Sequence, residues 1–121
     1  SAYKEMEEWQ TSMELAKEVY LLTKAISNPE DHYLGAEINK SAIAIPSNIA
    51  EGCGRHSNQG YLHFIKISRG SLFELETQII IATQLGIINS STRVEELISK
   101  IAAMLEDLVN TLEKQAKLSR A

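Results

Sequence analysis

Apolar residues recur at spacings of three and four along most of the chain, which is the period of an α-helix. The first segment, from Tyr3 to Ile26, carries two such stripes. One is Met6, Trp9, Met13, Ala16, Tyr20 and Thr23, and the other is Leu15, Val19, Leu22 and Ile26. Together they predict one helix with a broad apolar face. Asn28-Pro29 then breaks the pattern and is suited to cap the next helix. Pro29 takes the first helical position, and the acids Glu30 and Asp31 sit in the first turn, where the helix dipole favours them.

A second helix is predicted from Pro29 to Glu51 on the stripe Leu34, Ile38, Ala42, Ile45 and Ile49. Pro46 falls inside it. A mid-helix proline removes one backbone hydrogen bond and presses on the carbonyl four residues back, here Ala42, so a kink is expected. The alternative is two shorter helices that break at Ile45. Gly52 and Gly54 are expected to end the element in positive-φ conformations. The third helix is predicted from Ser57 to Leu85, with Tyr61, Ile65, Ser68, Leu72, Leu75, Ile79 and Ala82 inward and Gly86 as the stop. The fourth is predicted from Thr92 to Lys117 on Val94, Ile98, Ile101, Leu105, Leu108 and Leu112. Its opening Thr92-Arg93-Val94-Glu95 fits a capping box. Helices of roughly 24 to 29 residues span about 36 to 43 Å. Short connections make neighbours antiparallel. The pattern therefore predicts an all-α fold: one antiparallel up-down four-helix bundle over residues 1–121, with its second helix kinked at Pro46.

The third helix is more apolar than a bundle requires. Opposite Leu72 lie His63, Ile67, Gly70, Glu74, Thr77 and Ile81, themselves at helical spacing, with Phe73 and Leu85 on the flanks. Polar residues normally occupy such a face. Either the bundle face is wide and a few aliphatics are simply exposed, or this stripe is a second packing seam between copies of the chain. Gly70 in mid-helix costs about 1 kcal/mol relative to alanine, and close approach of another helix would offset that.

Composition narrows the function. The 121 residues are 44% hydrophobic and 23% charged, so the chain can bury a core and is not of a disordered type. Aromatics make up only 6%, which disfavours a β-sandwich or barrel. The single cysteine excludes an internal disulfide and a Cys-cluster zinc site. No apolar run is long enough to span a membrane, and no signal peptide is visible. The chain opens on Ser1 rather than methionine, as a processed or trimmed chain would. A cytoplasmic location is expected.

The net charge of −4 argues, taken whole, against a general nucleic-acid binder. It is not evenly spread. Residues 1–37 carry a net −5 and residues 74–121 a net −2, while residues 38–73 carry +3 from Lys40, Arg55, Lys66 and Arg69 against Glu51. These four cations are the candidate phosphate contacts, and oligomerisation would multiply so small a patch by avidity. The competing reading pairs them internally, Arg55 with Glu51 and Arg69 with Glu76. Tyr61 and Phe64 lie close in sequence but fit the core better than base stacking.

Catalytic and metal chemistry finds little support. No glutamate has a histidine three residues later, which di-iron bundles need. His32, His56 and His63 match no metal-site spacing, and Glu30-Asp31-His32 fits a capped, solvated first turn better than a cation site. Cys53 lies between two glycines and reads as a small buried hydrophobe, although His56 is near enough in sequence to serve as a base. Gly52-Cys53-Gly54-Arg55 lacks the Gly-Lys pair of a phosphate loop.

Two runs are distinctive: Ile45-Pro46-Ser47-Asn48-Ile49-Ala50-Glu51-Gly52-Cys53-Gly54-Arg55, and Gly70-Ser71-Leu72-Phe73-Glu74-Leu75-Glu76-Thr77-Gln78 followed by Leu85-Gly86. With Tyr3-Lys4-Glu5 and Trp9-Gln10, the chain resembles, over nearly its whole length, the four-helix bundle proteins named for 23S ribosomal RNA intervening sequences. That family is similar to the accessory proteins of diversity-generating retroelements, which form pentameric barrels and bind nucleic acid and a reverse transcriptase. The resemblance implies a homopentamer and makes RNA a candidate partner. Pro46, Asn48, Glu51, Gly54, Arg55, Gly70, Glu74 and Glu76 match the family pattern and read as mainly structural, with Arg55 and Arg69 as the obvious partners for the three acids. Two departures stand out. Asn39 and Lys40 occupy positions where the family has paired arginines, which removes one cation. Gly60 stands three residues after Ser57 where the family has glutamate, so the start of the third helix should fray.

The sequence thus points to a non-enzymatic bundle that self-assembles into a symmetric homo-oligomer, with RNA as the candidate partner. Lys40, Arg55, Lys66 and Arg69 would contact phosphate, and the stripe from His63 to Ile81 would form the interface. The alternative is a protein-interaction adaptor with an acidic outer surface and no nucleic-acid role. A metal or redox enzyme around Cys53 and the histidines comes third. No cofactor, membrane or small-molecule substrate is implied.

Overall fold

The computed structural model describes residues 2–120, with side chains as far as Leu118. Ser1 lies outside the described residues. These residues form four α-helices: α1 (Glu7–Lys24), α2 (His32–Cys53), α3 (Asn58–Gln84) and α4 (Thr92–Arg120). Each helix packs on the next and α4 returns to α1, while α1 and α3 sit diagonally across the bundle. Contact registers run antiparallel. On α3–α4, Lys66 meets Glu113 and Arg69 meets Glu106. On α1–α4, Glu14 meets Arg93 and Glu7 meets Lys100.

Helix ends follow local chemistry. The first helix begins later than its apolar pattern, because Ala2–Glu5 form a 3-10 turn and Met6 is extended. That turn folds back on α1: the Tyr3 ring meets Trp9 edge-on at 5.4 Å, and Gln10 Nε2 donates to the Lys4 carbonyl at 2.8 Å. At the next start, the Asn28 side chain accepts from the Glu30 N–H, and Pro29 leads a 3-10 turn into α2. Ser57 caps α3 by accepting from the Gly60 N–H at 3.0 Å, so the start expected to fray keeps its serine cap without the glutamate.

Two expectations need correction. The cap of α4 is Ser91, whose Oγ accepts from the Val94 N–H at 3.1 Å. Thr92 is already helical, so the four-residue box starting there does not form. Gly54 ends α2 at φ −84° in the right-handed region, and Gly52 remains within the helix. Among the described residues only Gly86 has positive φ, at 71°. It closes α3 with paired bonds from Gly86 N–H to Thr83 O and from Ile87 N–H to Ala82 O, the Schellman arrangement.

Gly52 serves a different purpose. A Cβ there would lie 2.9 Å from Phe64 Cβ and 3.2 Å from the Tyr61 carbonyl. Glycine is therefore what lets α2 and α3 approach this closely. Pro46 sits in one continuous α2, so the two-helix alternative falls away. Side chains serve the carbonyls next to it: Ser47 Oγ donates to Ile43 O, Asn48 Nδ2 to Ala44 O, and the fully buried Ser68 of α3 to Ile45 O at 2.9 Å.

The core holds most of the predicted inner positions, with Leu34, Tyr61 and Leu108 half-buried at its edge. Leu15, Val19, Ile38, Ile45, Ile49, Ile65, Leu72, Leu75, Ile101 and Leu105 are fully buried. The broad face of α1 is split, however. Its Leu15–Val19 stripe enters the core, while Tyr20 on the other stripe is 54% exposed and Trp9 and Met13 are half-buried. With only α2 and α4 beside it, α1 carries more apolar face than its neighbours cover.

Candidate functional site

The outer face of α3 projects into solvent as its spacing predicts. His63, Ile67, Gly70, Glu74, Thr77 and Ile81 are all exposed. Ile67 is exposed by 39%, Phe73 by 51%, Ile80 by 50%, Ile81 by 46% and Leu85 by 67%, so large apolar side chains line about five turns of one helix. A Cβ built on Gly70 would meet nothing within 4 Å. Unlike Gly52, Gly70 has no reason within its own chain to lack a side chain. The Thr77 hydroxyl turns back to the Phe73 carbonyl at 2.8 Å, and His63 rests edge-on against Phe64 at 5.1 Å.

A second apolar surface escaped the sequence pattern. Between α1 and α2 a groove of about 620 Å³ is lined by Trp9, Met13, Ala16, Tyr20, Leu21, Ile43, Pro46 and Ala50, with Lys17 and Ser47 at its edges. The signal was present in the two stripes of α1, which together are wider than one neighbouring helix can bury. Tyr3 joins the groove from the N-terminal turn.

The four candidate cations do not form one patch. Lys66 and Arg69 reach across to α4, with Lys66 Nζ at 3.9 Å from Glu113 and Arg69 Nη1 at 3.1 Å from Glu106. Arg55 pairs with Glu51 and stacks over the Phe64 ring at 4.4 Å. Lys40 stands exposed on α2 one turn before Ile43 and makes no ion pair among the described residues. Of the expected internal pairs, Arg55–Glu51 forms, whereas Arg69 takes Glu106 instead of Glu76. Glu74 and Glu76 are exposed and need no buried partner. Glu74 accepts a long bond from Gln78 Nε2 at 3.4 Å.

Around Cys53 the surroundings are structural. Tyr61 packs on Gly52, and its hydroxyl donates to Met6 Sδ at 3.4 Å. Burial first, then the nearby Cys53 and Glu8, push the Tyr61 hydroxyl up to about 12, which keeps it protonated. His56 is exposed. His32 Nε2 lies 3.3 Å from the Ile26 carbonyl, closing the α1–α2 turn. Among the described residues no group of three His, Cys, Asp or Glu side chains is placed to hold a metal, and no described helix is long and apolar enough to cross a membrane.

Residues 4–108 match the family described as 23S rRNA-intervening sequence protein. That span holds all four helices' core positions up to Leu108, and the chain belongs to this family. A comparison with curated proteins finds no match.

Proposed function

We propose that the chain is a non-enzymatic assembly module, a four-helix bundle that self-associates into a symmetric homo-oligomer through the outer face of α3. The observation that carries this reading is Gly70. It sits in the middle of a long helix, faces open space, and is flanked by exposed Ile67, Phe73 and Ile81. A mid-helix glycine costs about 1 kcal/mol relative to alanine, and nothing in the isolated chain compensates. A neighbouring copy packed closely at that point would do so, and would also cover the apolar stripe. The family resemblance implies five copies.

RNA contact is the second reading. It is favoured by Lys40, which has no ion pair among the described residues, and by the net +3 of residues 38–73. Arg55, Lys66 and Arg69 already have carboxylate partners, so a phosphate would have to displace Glu51, Glu113 or Glu106. If RNA is bound, affinity falls with salt and is lost when Lys40 and Lys66 are reversed to glutamate. Salt-insensitive or absent binding favours the adaptor reading, in which the surfaces meet protein alone.

The assembly reading is tested by light scattering on wild type and Gly70→Leu. Wild type is expected to be oligomeric and the variant a folded monomer or a smaller species. A Gly70→Leu protein that stays fully assembled contradicts the proposed seam.

A further inference from the structure

A separate groove runs between the second half of α3 and the first half of α4. Its volume is about 410 Å³, and Ile79, Ile80 and Ile98 supply its apolar lining. Ile79 and Ile98 are buried, and Ile80 stands half-exposed at the rim. Successive residues of a helix point about 100° apart, so Ile80 faces α4 while Ile81 belongs to the outer stripe. The groove is therefore distinct from the seam centred on Gly70.

Two carboxylates line it, Glu76 from α3 and Glu95 from α4. Both are exposed, and neither makes an ion pair among the described residues. The cations that could neutralise them are engaged elsewhere. Arg93 and Lys100 of α4 turn toward α1, where they pair with Glu14 and Glu7. Arg69, two turns before Glu76 on α3, pairs with Glu106. Glu95 lies in the first turn of α4, where the helix dipole stabilises an acid. Glu76 stands in mid-helix and gains nothing of that kind. The α3–α4 side thus presents an apolar cleft edged by two acids and no free cation among its lining residues.

From this we infer that the groove docks a short basic amphipathic segment of a partner protein. Aliphatic side chains of the segment lie on the isoleucines, and an arginine or lysine is held by Glu76 and Glu95. Such a cation suits the site because its aliphatic stem covers apolar surface while its charged end meets carboxylate. Nucleic acid is disfavoured there, since its phosphates would meet like charge on both helices. A segment laid between two helices in this way is a familiar mode of peptide recognition. It leaves the outer face of α3 uncovered, so it does not depend on self-assembly.

The test uses the full-length protein and three short labelled peptides. The first carries leucine and arginine at helical spacing. The second replaces every arginine with glutamate, and the third replaces every leucine with serine. Affinity is read by fluorescence anisotropy and location by backbone amide chemical shifts. The leucine–arginine peptide is expected to bind at least about tenfold more tightly than either control, and to shift the amides of Ile80 and Ser99. Glu76→Gln with Glu95→Gln should remove most of the preference for arginine over glutamate while helicity and oligomeric state stay as in wild type. Equal affinity of wild type and the double variant for the first peptide overturns the inference, as do shifts confined to other surfaces. A double variant with an altered oligomeric state assigns the groove to a second copy of the chain, which overturns it too.

Discussion

Two glycine-bearing regions of the same bundle make opposite use of a missing side chain. At the α2–α3 seam, Gly52 lies where a Cβ would press on Phe64 Cβ and the Tyr61 backbone, with Ser68 Oγ joined to the Ile45 carbonyl further along the same seam. On the outer face of α3, Gly70 meets nothing. Gly52, in the last turn of α2, carries part of the intrinsic penalty of a helical glycine, whereas Gly70 carries the full penalty of a helix interior. The first is offset inside the chain by close helix packing. The second is offset only if something outside the chain approaches. The difference separates residues that hold the fold from residues that present a surface, and it yields opposite signs for one kind of substitution.

The largest expected effect is at the seam. Gly52→Ala must push α2 and α3 apart against backbone and Cβ atoms, which do not move aside cheaply. It should destabilise by roughly 2 kcal/mol, lowering Tm by about 8 °C for a chain of this length. A neutral result in thermal melts would mean the seam is looser than its contacts imply. Ser68→Ala removes a buried hydroxyl bond between the same helices and should cost about 1 kcal/mol, read by urea unfolding. Gly70→Ala should go the other way. The isolated monomer should gain up to about 1 kcal/mol, while self-association weakens. A loss of monomer stability would place Gly70 among the residues of the fold and dissolve the comparison. Arg69→Ala breaks only a partly exposed pair with Glu106 and should change stability by less than about 0.5 kcal/mol. The seam also has a spectroscopic marker. In an ultraviolet pH titration, one tyrosine should ionise at about 12, and Tyr61→Phe should abolish that late component.

Much of this was legible in the sequence, for reasons that vary by residue. The inner stripe of α3 from Ile65 to Ala82 is buried as its period requires, because side-chain direction in a helix follows from spacing alone. Gly86 was legible as a stop because it precedes the apolar Ile87-Ile88 and follows a long periodic run. Gly52 was not, since a glycine serves equally as a left-handed turn or as room for a neighbour, and only the crossing of α2 and α3 decides between them. Ser91 and Thr92 are adjacent hydroxyls that can each cap a helix, and the residue that actually begins α4 settles which one does. Arg69 reached Glu106 instead of Glu76 because cross-helix partners depend on how α3 and α4 are rotated against each other, which no single-helix period records. The groove between α1 and α2 was the larger omission. The sequence displayed both stripes of α1, but how much of them the neighbours cover is a property of the packed bundle.

The central claim is that the exposed outer face of α3 meets other copies of this chain. Native mass spectrometry of the wild-type protein tests it most directly, because it counts copies and retains any bound partner. A single closed species with a fixed number of copies, five by the family resemblance, is the predicted result. A monomer at every concentration where the protein stays folded would contradict it.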